Sequence, residues 1–229
     1  MTPPSGPPLD VVRHPRARRC TLRFDHASGR ARLVLPPRAA LGPALAWAEG
    51  KAGWLAEQRA LAPVPRPFAP GATLPVADEA LTITRDEGRR RAVLRGGDRL
   101  LVAGPEETIA RRVEAWLRAE ALDLLTRETT EFAGLAGVTV SSVAVGDPRG
   151  RWGSCASGGA IRYSWRLLLA PRHVRRATVA HEVAHRMHMN HGPRFHALVA
   201  ELLGTDPASA RAWLRTHGAE LHSYGRSSS

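Results

Sequence analysis

The first hundred residues alternate short apolar runs with turn residues, a pattern typical of β-strands. Residues 19–35 contain two partly alternating runs around a turn and predict a β-hairpin, and residues 39–60 have the apolar spacing of a helix. The proline-rich stretch 62–71 predicts a loop, and four short strand-like runs follow it. We therefore predict a β-rich N-terminal region, residues 1–104, that contains one helix.

The second half of the chain has the longer apolar period of helices. Residues 106–133 predict a long helix, and Pro171 opens a helix that contains several histidines. The other predicted elements are strands at 137–145 and within 151–169, and helices near 193–203 and 206–217. Together these elements predict an α+β domain over residues 105–229.

The chain is strongly basic, with a net charge of +12 over 229 residues. Nearly all of this charge is arginine, because Lys51 is the only lysine. A basic surface attracts nucleic acid through counterion release and could equally steer an acidic substrate. Arginines spread along the whole chain also fit a solvated surface without such a partner, and an aromatic content of 5% offers few platforms for stacking bases.

Cysteine usage and apolar run lengths give an expectation about location. Cys20 and Cys155 are the only cysteines, a count that does not suggest a disulfide framework or a cysteine-rich structural zinc site. No apolar stretch has the length of a signal peptide or a membrane span. We therefore expect a cytoplasmic protein that makes no membrane contact.

The candidate chemistry lies in the motif H-E-x-x-H, formed by His181, Glu182 and His185. Positions i and i+4 share one face of a helix, so both imidazoles can bind one metal ion. Glu182 lies about 100° around the helix, where it can act as the general base for a water molecule that the metal activates. The apolar neighbours Val179 and Val183 predict a buried helix, in which these polar groups need partners. The motif therefore predicts a catalytic zinc site.

A catalytic zinc usually has three protein ligands and one open position. The candidates for the third ligand are His188, His191, His196 and Glu201. On an unbroken helix His191 would face away from His185. Asn190 tolerates a left-handed conformation and Gly192–Pro193 follow it, so the helix is expected to stop there and let His191 fold back. We rank His191 first and Glu201 clearly lower.

Three blocks extend the motif: RWGSC (151–155), RYSWRLLLAP (162–171) and HEVAHRMHMNHGPRF (181–195). In order and spacing they closely resemble the YgjP-like metallopeptidases, which are related to the SprT-like and WLM proteases. The N-terminal RRCTLRFDHASGRARLVLPP and the late RAWLRTHGAEL extend the resemblance over nearly the whole chain. It implies a zincin-like (minigluzincin) catalytic domain, in which a small sheet packs on the active-site helix.

The same resemblance implies a set of site residues. These are Glu182 as general base and the zinc ligands His181, His185 and His191. The chain departs from the family pattern at Gly192, where a serine is usual, and at His196, where an aromatic residue is usual. Both changes touch the edge of the site and leave the ligand set intact, and we interpret His196 as a packing substitute.

The block at 151–169 suggests how a substrate is held. In zincins a strand beside the metal binds the substrate backbone by β-addition, and either strand of this block is a candidate. Arg151 or Arg162 would then meet a carboxylate or phosphate of the substrate. We interpret Trp152 and Trp165 as core residues and Cys155 as a small apolar residue.

Three functions are compatible with these features. The first is a zinc metallopeptidase that acts on proteins or peptides, with nucleic acid as a further expected partner because of the basic charge. The second is a metal-dependent nucleoside triphosphate pyrophosphohydrolase, since a YgjP-type protein hydrolyses nucleotides such as UTP. The chain lacks a glycine-rich phosphate loop. The third is a binding module with structural zinc, which the absence of a four-ligand cysteine set and the intact Glu182 disfavour.

Overall fold

The computed structural model describes residues 8–25, 29–88 and 93–227. Within these residues the chain forms six α-helices and three small sheets, one of four strands and two of three. The fold is therefore α+β, as the sequence predicts. It divides into two compact units, Met1–Val64 and Pro65–Ser229. No helix in the described ranges combines the length and apolarity that a membrane crossing requires.

The first unit contains a three-stranded sheet. Its strands are β1 (Leu9–Arg13), β2 (Thr21–Asp25) and β3 (Arg30–Leu35), in the order β1–β3–β2. β3 pairs antiparallel with β2, as expected for the predicted hairpin, and parallel with β1. The predicted turn of this hairpin, at Ala27–Gly29, includes residues 27 and 28, which lie outside the described residues. Alternation along β3 buries Leu33 and leaves Arg32 exposed on the opposite face.

Two short helices cover the apolar face of this sheet. They are α1 (Leu41–Glu49) and α2 (Ala52–Ala60), where the sequence analysis expected one helix. The break falls at Gly50, whose N–H donates to the Ala46 carbonyl and closes α1. Glycine is a poor helix former, and Lys51 after it leaves the helical conformation at φ −102° and ψ 14°. One long apolar pattern therefore becomes two helices.

The second unit begins with a four-stranded sheet. Its strands, in the order β4–β5–β7–β6, are β4 (Thr73–Val76), β5 (Glu79–Arg85), β6 (Val93–Gly96) and β7 (Arg99–Val102). Ala77 and Asp78 join β4 to β5 with φ values of 50° and 71°. Positive φ at both central residues is the signature of a type I′ hairpin turn. Asp78 thereby projects toward the start of the helix that contains the histidines.

A single long helix, α3 (Glu106–Ala136), spans this unit. Its buried stripe follows helical spacing and includes Ile109, Val113, Leu117, Ala121, Leu125 and Phe132. These residues share one core cluster with the inner face of the four-stranded sheet. The sheet is thus part of the unit that contains the histidines, so the compact units divide after Val64, whereas the sequence analysis placed the division at residues 104–105.

The second sheet of this unit leads into the motif helix. Its strands, in the order β8–β10–β9, are β8 (Ser142–Gly146), β9 (Gly153–Cys155) and β10 (Ala160–Ser164). A 3₁₀ helix, Trp165–Leu169, follows β10, and Trp165 is fully buried. The chain then forms α4 (Arg172–Ala184), α5 (Pro193–Leu203) and α6 (Ala208–Leu221).

Helix α4 is fixed at its start and along its length. The Arg172 N–H donates to the Asp78 carboxylate at 2.9 Å. One turn later Arg175 forms a buried ion pair with Glu128 of α3 at 3.0 Å. The remaining faces of α4 pack against β9, α5 and α6. These contacts leave α4 little freedom to rotate and so fix the direction in which its histidines project.

Candidate metal centre

The motif residues lie at the C-terminal end of α4. His181 and Glu182 belong to its last turn, and His185 is the residue at which the helix ends. The amide N–H groups of Arg186 and Met187 donate to carbonyls three residues earlier, which tightens the chain out of the α-helix. The helix therefore ends before Asn190, where the sequence analysis expected it to stop.

The return of His191 also has a cause other than the expected one. Among the described residues, Ala77 and Asp78 alone are non-glycine residues with positive φ, so Asn190 is not left-handed. Instead the Gly192 N–H donates to the Asn190 carbonyl at 2.8 Å, which makes a tight turn around His191. Pro193 then begins α5. This turn directs the His191 ring back toward α4.

The three histidines converge. The ring centroids of His181, His185 and His191 lie 4.7–5.0 Å from one another. One ligand atom from each lies within 4.8 Å of the others, and no other described residue joins this group. The Nε2 atoms of His181 and His191 are 3.1 Å apart. Two nitrogens at zinc-ligand distance in a tetrahedral site are about 3.3 Å apart, so the donor set fits a zinc-sized ion.

A backbone contact assigns the donor atom of His185. Its Nδ1 lies 3.1 Å from the His188 carbonyl oxygen. Nδ1 therefore donates, and the lone pair of the neutral ring is at Nε2. His188 supports the site through its carbonyl and not through its ring. His196 and Glu201, which the sequence also offers as third ligands, are exposed and lie outside the group.

Phe195 packs beneath the histidines and was not singled out from the sequence. Its ring centroid lies 4.6–4.8 Å from those of His181, His185 and His191, and the residue is 1% exposed. It lies in the first turn of α5, at helical spacing from the buried Val199. This apolar spacing in the sequence could have identified Phe195 as a buried residue of α5. Phe195 restricts the rotamers of all three rings and so helps to preorganise the donor set.

The histidine rings are held in the form that binds metal. Burial, together with the neighbouring His185 and His191 rings, lowers the pKa of His181 to about 4. Burial also lowers the pKa of His185. Metal ligation requires the neutral imidazole. Near neutral pH these two rings are therefore unprotonated and ready to ligate.

Glu182 is a buried carboxylate beside the three rings. It is 5% exposed, and burial raises its pKa to about 7, while the positive charge of Arg151 opposes this rise. A pKa near the working pH suits a group that accepts and returns a proton. Glu182 is not part of the metal-binding group. Its position matches a general base adjacent to a metal.

Gly153 of the RWGSC block explains how this carboxylate is accommodated. A Cβ placed at residue 153 would lie 2.6 Å from Glu182 Cγ and 2.7 Å from Cδ. Real contacts of this kind do not occur, so a side chain at residue 153 would displace Glu182 where β9 crosses the motif, and glycine leaves the carboxylate in place. Sequence reasoning did not identify this role, because it depends on a contact between two elements that are distant in the chain.

The two arginines nominated from the sequence have different positions. Arg151 lines a cavity together with His181 and Glu182. Arg162 is exposed on β10, alternates with the buried Ile161 and Tyr163, and does not line that cavity. Of the two, only Arg151 is brought to the metal centre.

Two further residues of these blocks were interpreted as packing. Trp152 is half-buried and stacks on His222 with centroids 5.2 Å apart. Cys155 is half-buried, and burial raises the pKa of its thiol. Cys155 lies outside the group of potential metal ligands among the described residues.

Comparison with known proteins identifies the family. Neither a search of curated proteins nor a search of solved structures gave a match. A family model described as YgjP-like, metallopeptidase domain, matches residues 18–217, which includes all three blocks of the resemblance and the three histidines. The suspected family and its zincin-like fold are thereby confirmed. The chain belongs to the YgjP-like metallopeptidases.

Proposed function

We propose that this protein is a zinc-dependent peptidase, with His181, His185 and His191 as ligands and Glu182 as general base. One observation carries the proposal: three imidazole donors lie within 4.8 Å of one another beside a buried carboxylate that is not one of them. Three protein ligands with an open position are typical of catalytic zinc, whereas structural zinc usually has four. The open position is where a substrate can approach.

The donor chemistry supports zinc. Imidazole nitrogens suit zinc, copper, iron and nickel, while magnesium and calcium prefer oxygen ligands. A bound zinc ion supplies Lewis acidity, which polarises a carbonyl group and makes water acidic near neutral pH. The hydrogen bond from His185 Nδ1 to the His188 carbonyl orients the ring and raises its basicity as a ligand.

Glu182 moves the proton. As the carboxylate it takes a proton from the attacking water, and as the carboxylic acid it gives that proton to the leaving amine. Burial raises the pKa of this carboxyl to about 7 in the metal-free protein, and a nearby cation would lower it, so the carboxylate that accepts the proton is populated at neutral pH. Glu182 is only 5% exposed, so little bulk water reaches its carboxylate.

Strand β9 is suited to align a peptide. It is the outer strand of its sheet among the described residues. The Trp152 carbonyl and the Ala156 N–H are bonded to β10. Because backbone groups alternate along an antiparallel strand, those of Gly153 and Cys155 face the open edge. A substrate strand added there would run past Glu182.

Nucleic acid remains a proposed partner, and a feature of the first unit supports it. Arg23 and Arg32 are exposed and lie directly opposite each other on β2 and β3. Like charges in directly opposed positions destabilise a sheet. Asp10 of β1 lies opposite Arg32 on its other side and offsets part of that cost, and an anionic ligand would offset the rest. Fluorescence anisotropy with labelled single-stranded DNA at increasing salt tests this proposal. Binding that is equally strong in the Arg23→Gln/Arg32→Gln variant would contradict it.

The function is tested with a peptide library and an unfolded protein. Zinc-loaded protein is incubated with each, and products are identified by mass spectrometry, with Glu182→Gln as the control. Products that appear with the wild type and vanish in the control establish the peptidase. Nucleoside triphosphates, including UTP, are incubated in parallel with zinc, magnesium or manganese. Nucleotide hydrolysis without peptide cleavage would replace the peptidase with a nucleoside triphosphate pyrophosphohydrolase.

A further inference from the structure

A cavity of about 270 Å³ opens directly beside His181 and Glu182. Its other walls come from α5, α6 and the segment that leads into β9. Beside the buried polar side chains of Thr178 and Glu182, its buried lining is apolar and includes Phe195, Val199 and Ala210, which are 1–3% exposed. A cavity of this size holds several water molecules. It can therefore receive one amino-acid residue that has a short apolar stem.

Two arginines, Arg151 and Arg211, line the same cavity. Both are exposed, and neither guanidinium has a hydrogen bond or ion pair to another described residue. Arg186, which also lies close to the motif, is by contrast held by the carbonyls of Thr139 and Ser157. The two cavity arginines thus keep all their donors for a ligand.

The positive charges of these arginines influence the ionisation of Glu182 and His181. Arg151 opposes the rise in the pKa of Glu182, and Arg211 contributes to the lowered pKa of His181. Glu182 is the only carboxylate among the described residues that line the cavity. Since Glu182 serves as the base in the proposed mechanism, the two guanidinium groups are not neutralised by any acid of their own. An anionic group of the substrate would complete the charge balance.

The mechanism determines which part of the substrate occupies this cavity. Glu182 returns its proton to the leaving amine, so that amine lies next to Glu182. The residue that contains the amine, the first after the scissile bond, is then the one that enters the adjoining cavity. This step rests on the proposed peptidase function.

We propose that Arg151 and Arg211 make this cavity a carboxylate-selective pocket for the residue that follows the scissile bond. Arginine is suited to carboxylates because its planar fork can donate two parallel hydrogen bonds. The apolar lining accommodates the stem, and the guanidinium groups bind the carboxylate. The carboxylate has two possible sources, an Asp or Glu side chain or the C-terminus of a peptide.

Matched peptides test the pocket and separate the two sources. One pair differs only in Glu or Gln after the scissile bond, and a second pair only in a free or amidated C-terminus at that residue. We expect the carboxylate member of one pair to have a kcat/KM about tenfold or more higher, because hydrogen bonds to charged groups stabilise complexes more than neutral ones do. Arg151→Gln and Arg211→Gln should each reduce that preference, measured as the ratio of kcat/KM within a pair, so that any change in general activity cancels.

The controls distinguish a failed pocket from a failed peptidase. Arg215→Gln removes the same charge from α6 outside the cavity and should leave the preference intact. Binding of the same peptides to the Glu182→Gln variant, measured by calorimetry, should show the same carboxylate preference without turnover. Cleavage without any carboxylate preference would contradict the proposed pocket but not the peptidase function. The same holds if Arg215→Gln reduces the preference as much as Arg151→Gln and Arg211→Gln do. If zinc-loaded protein cleaves no peptide, the proposed peptidase function is wrong. The binding preference measured by calorimetry would then be the remaining test of the carboxylate pocket.

Discussion

Replacement of Gly153 by alanine tests whether catalysis depends on the position of the Glu182 carboxylate. The added Cβ would lie 2.6 Å from Glu182 Cγ and closer still to Oε1, and ordinary contact begins near 3.4 Å, so the side chain must retreat by about 0.8 Å or more. A misplacement of about 1 Å in a catalytic site can cost roughly a hundredfold in rate, and loss of a general base costs about 10²–10⁴-fold. We therefore expect kcat of Gly153→Ala to fall by about a hundredfold.

The assay combines turnover with zinc content. The kcat is measured on a peptide from the library, and bound zinc is measured by elemental mass spectrometry. Zinc content should remain that of the wild type, because the contact displaces Glu182 and none of the histidines. Gly158→Ala is the matched control, since nothing lies within 4 Å of a Cβ placed there. A Gly153→Ala protein with full zinc content and wild-type kcat would refute the role given to this contact.

Three further predictions concern the donor set and its support. His191→Ala should weaken zinc binding, measured by chelator competition. Loss of a residue that merely supports a ligand reduces metal affinity by about 10–100-fold, and loss of the ligand itself should reduce it at least as much. In the metal-free protein, NMR should show the His181 ring titrating near pH 4 instead of 6.5, because burial and the neighbouring rings disfavour its charged form. Glu128→Ala should lower the free energy of unfolding in urea by about 3 kcal/mol, because it leaves the buried Arg175 with only its longer ion pair to Asp78, at 3.9 Å.

Each of these predictions has a control or a contradicting outcome. His196→Ala should leave zinc affinity unchanged, because this exposed residue is outside the donor group. A His181 midpoint near 6.5 would show that the ring is more solvated than the structure indicates. Asp123→Ala removes the partner of the exposed Arg127 and should change the free energy of unfolding by less than about 1 kcal/mol. If Asp123→Ala and Glu128→Ala lower the free energy of unfolding equally, burial does not make the Arg175–Glu128 ion pair more important for stability than an exposed pair.

The sequence predicted the local part of the site because helical geometry is local. His181 and His185 are one turn apart on a helix, so their spacing alone places both rings on one face. The return of His191 was expected for a different reason, a breaker at Asn190. Helix α4 ends earlier, at Ala184, although the residues there do not include a helix breaker. The hydrogen bond between His185 Nδ1 and the His188 carbonyl stabilises the turn that follows. A contact of that kind has no signature in residue propensities.

The division of the chain was predicted less well, although its signal was present. The proline-rich stretch at residues 62–71 contains the observed division after Val64. The sequence analysis instead followed the change from strand-like to helical patterns near residue 104. That change separates types of secondary structure and not compact units, because the four-stranded sheet needs α3 to bury its apolar face. Local periodicity identifies an element but does not reveal which other element covers it.

The same distinction applies to substrate selection. The groups that perform the proposed chemistry lie within a short segment, from His181 to His191, and can be found from spacing. The groups that surround it come from distant segments: Gly153 makes room for the carboxylate, Phe195 packs against the rings, and Arg211 brings a second charge to the cavity of Arg151. Arg211 lies on a helix with no recognisable motif, so only the fold associates it with the site. We therefore expect substitutions in the H-E-x-x-H segment to abolish turnover, and substitution of Arg211 to change which peptides are cleaved.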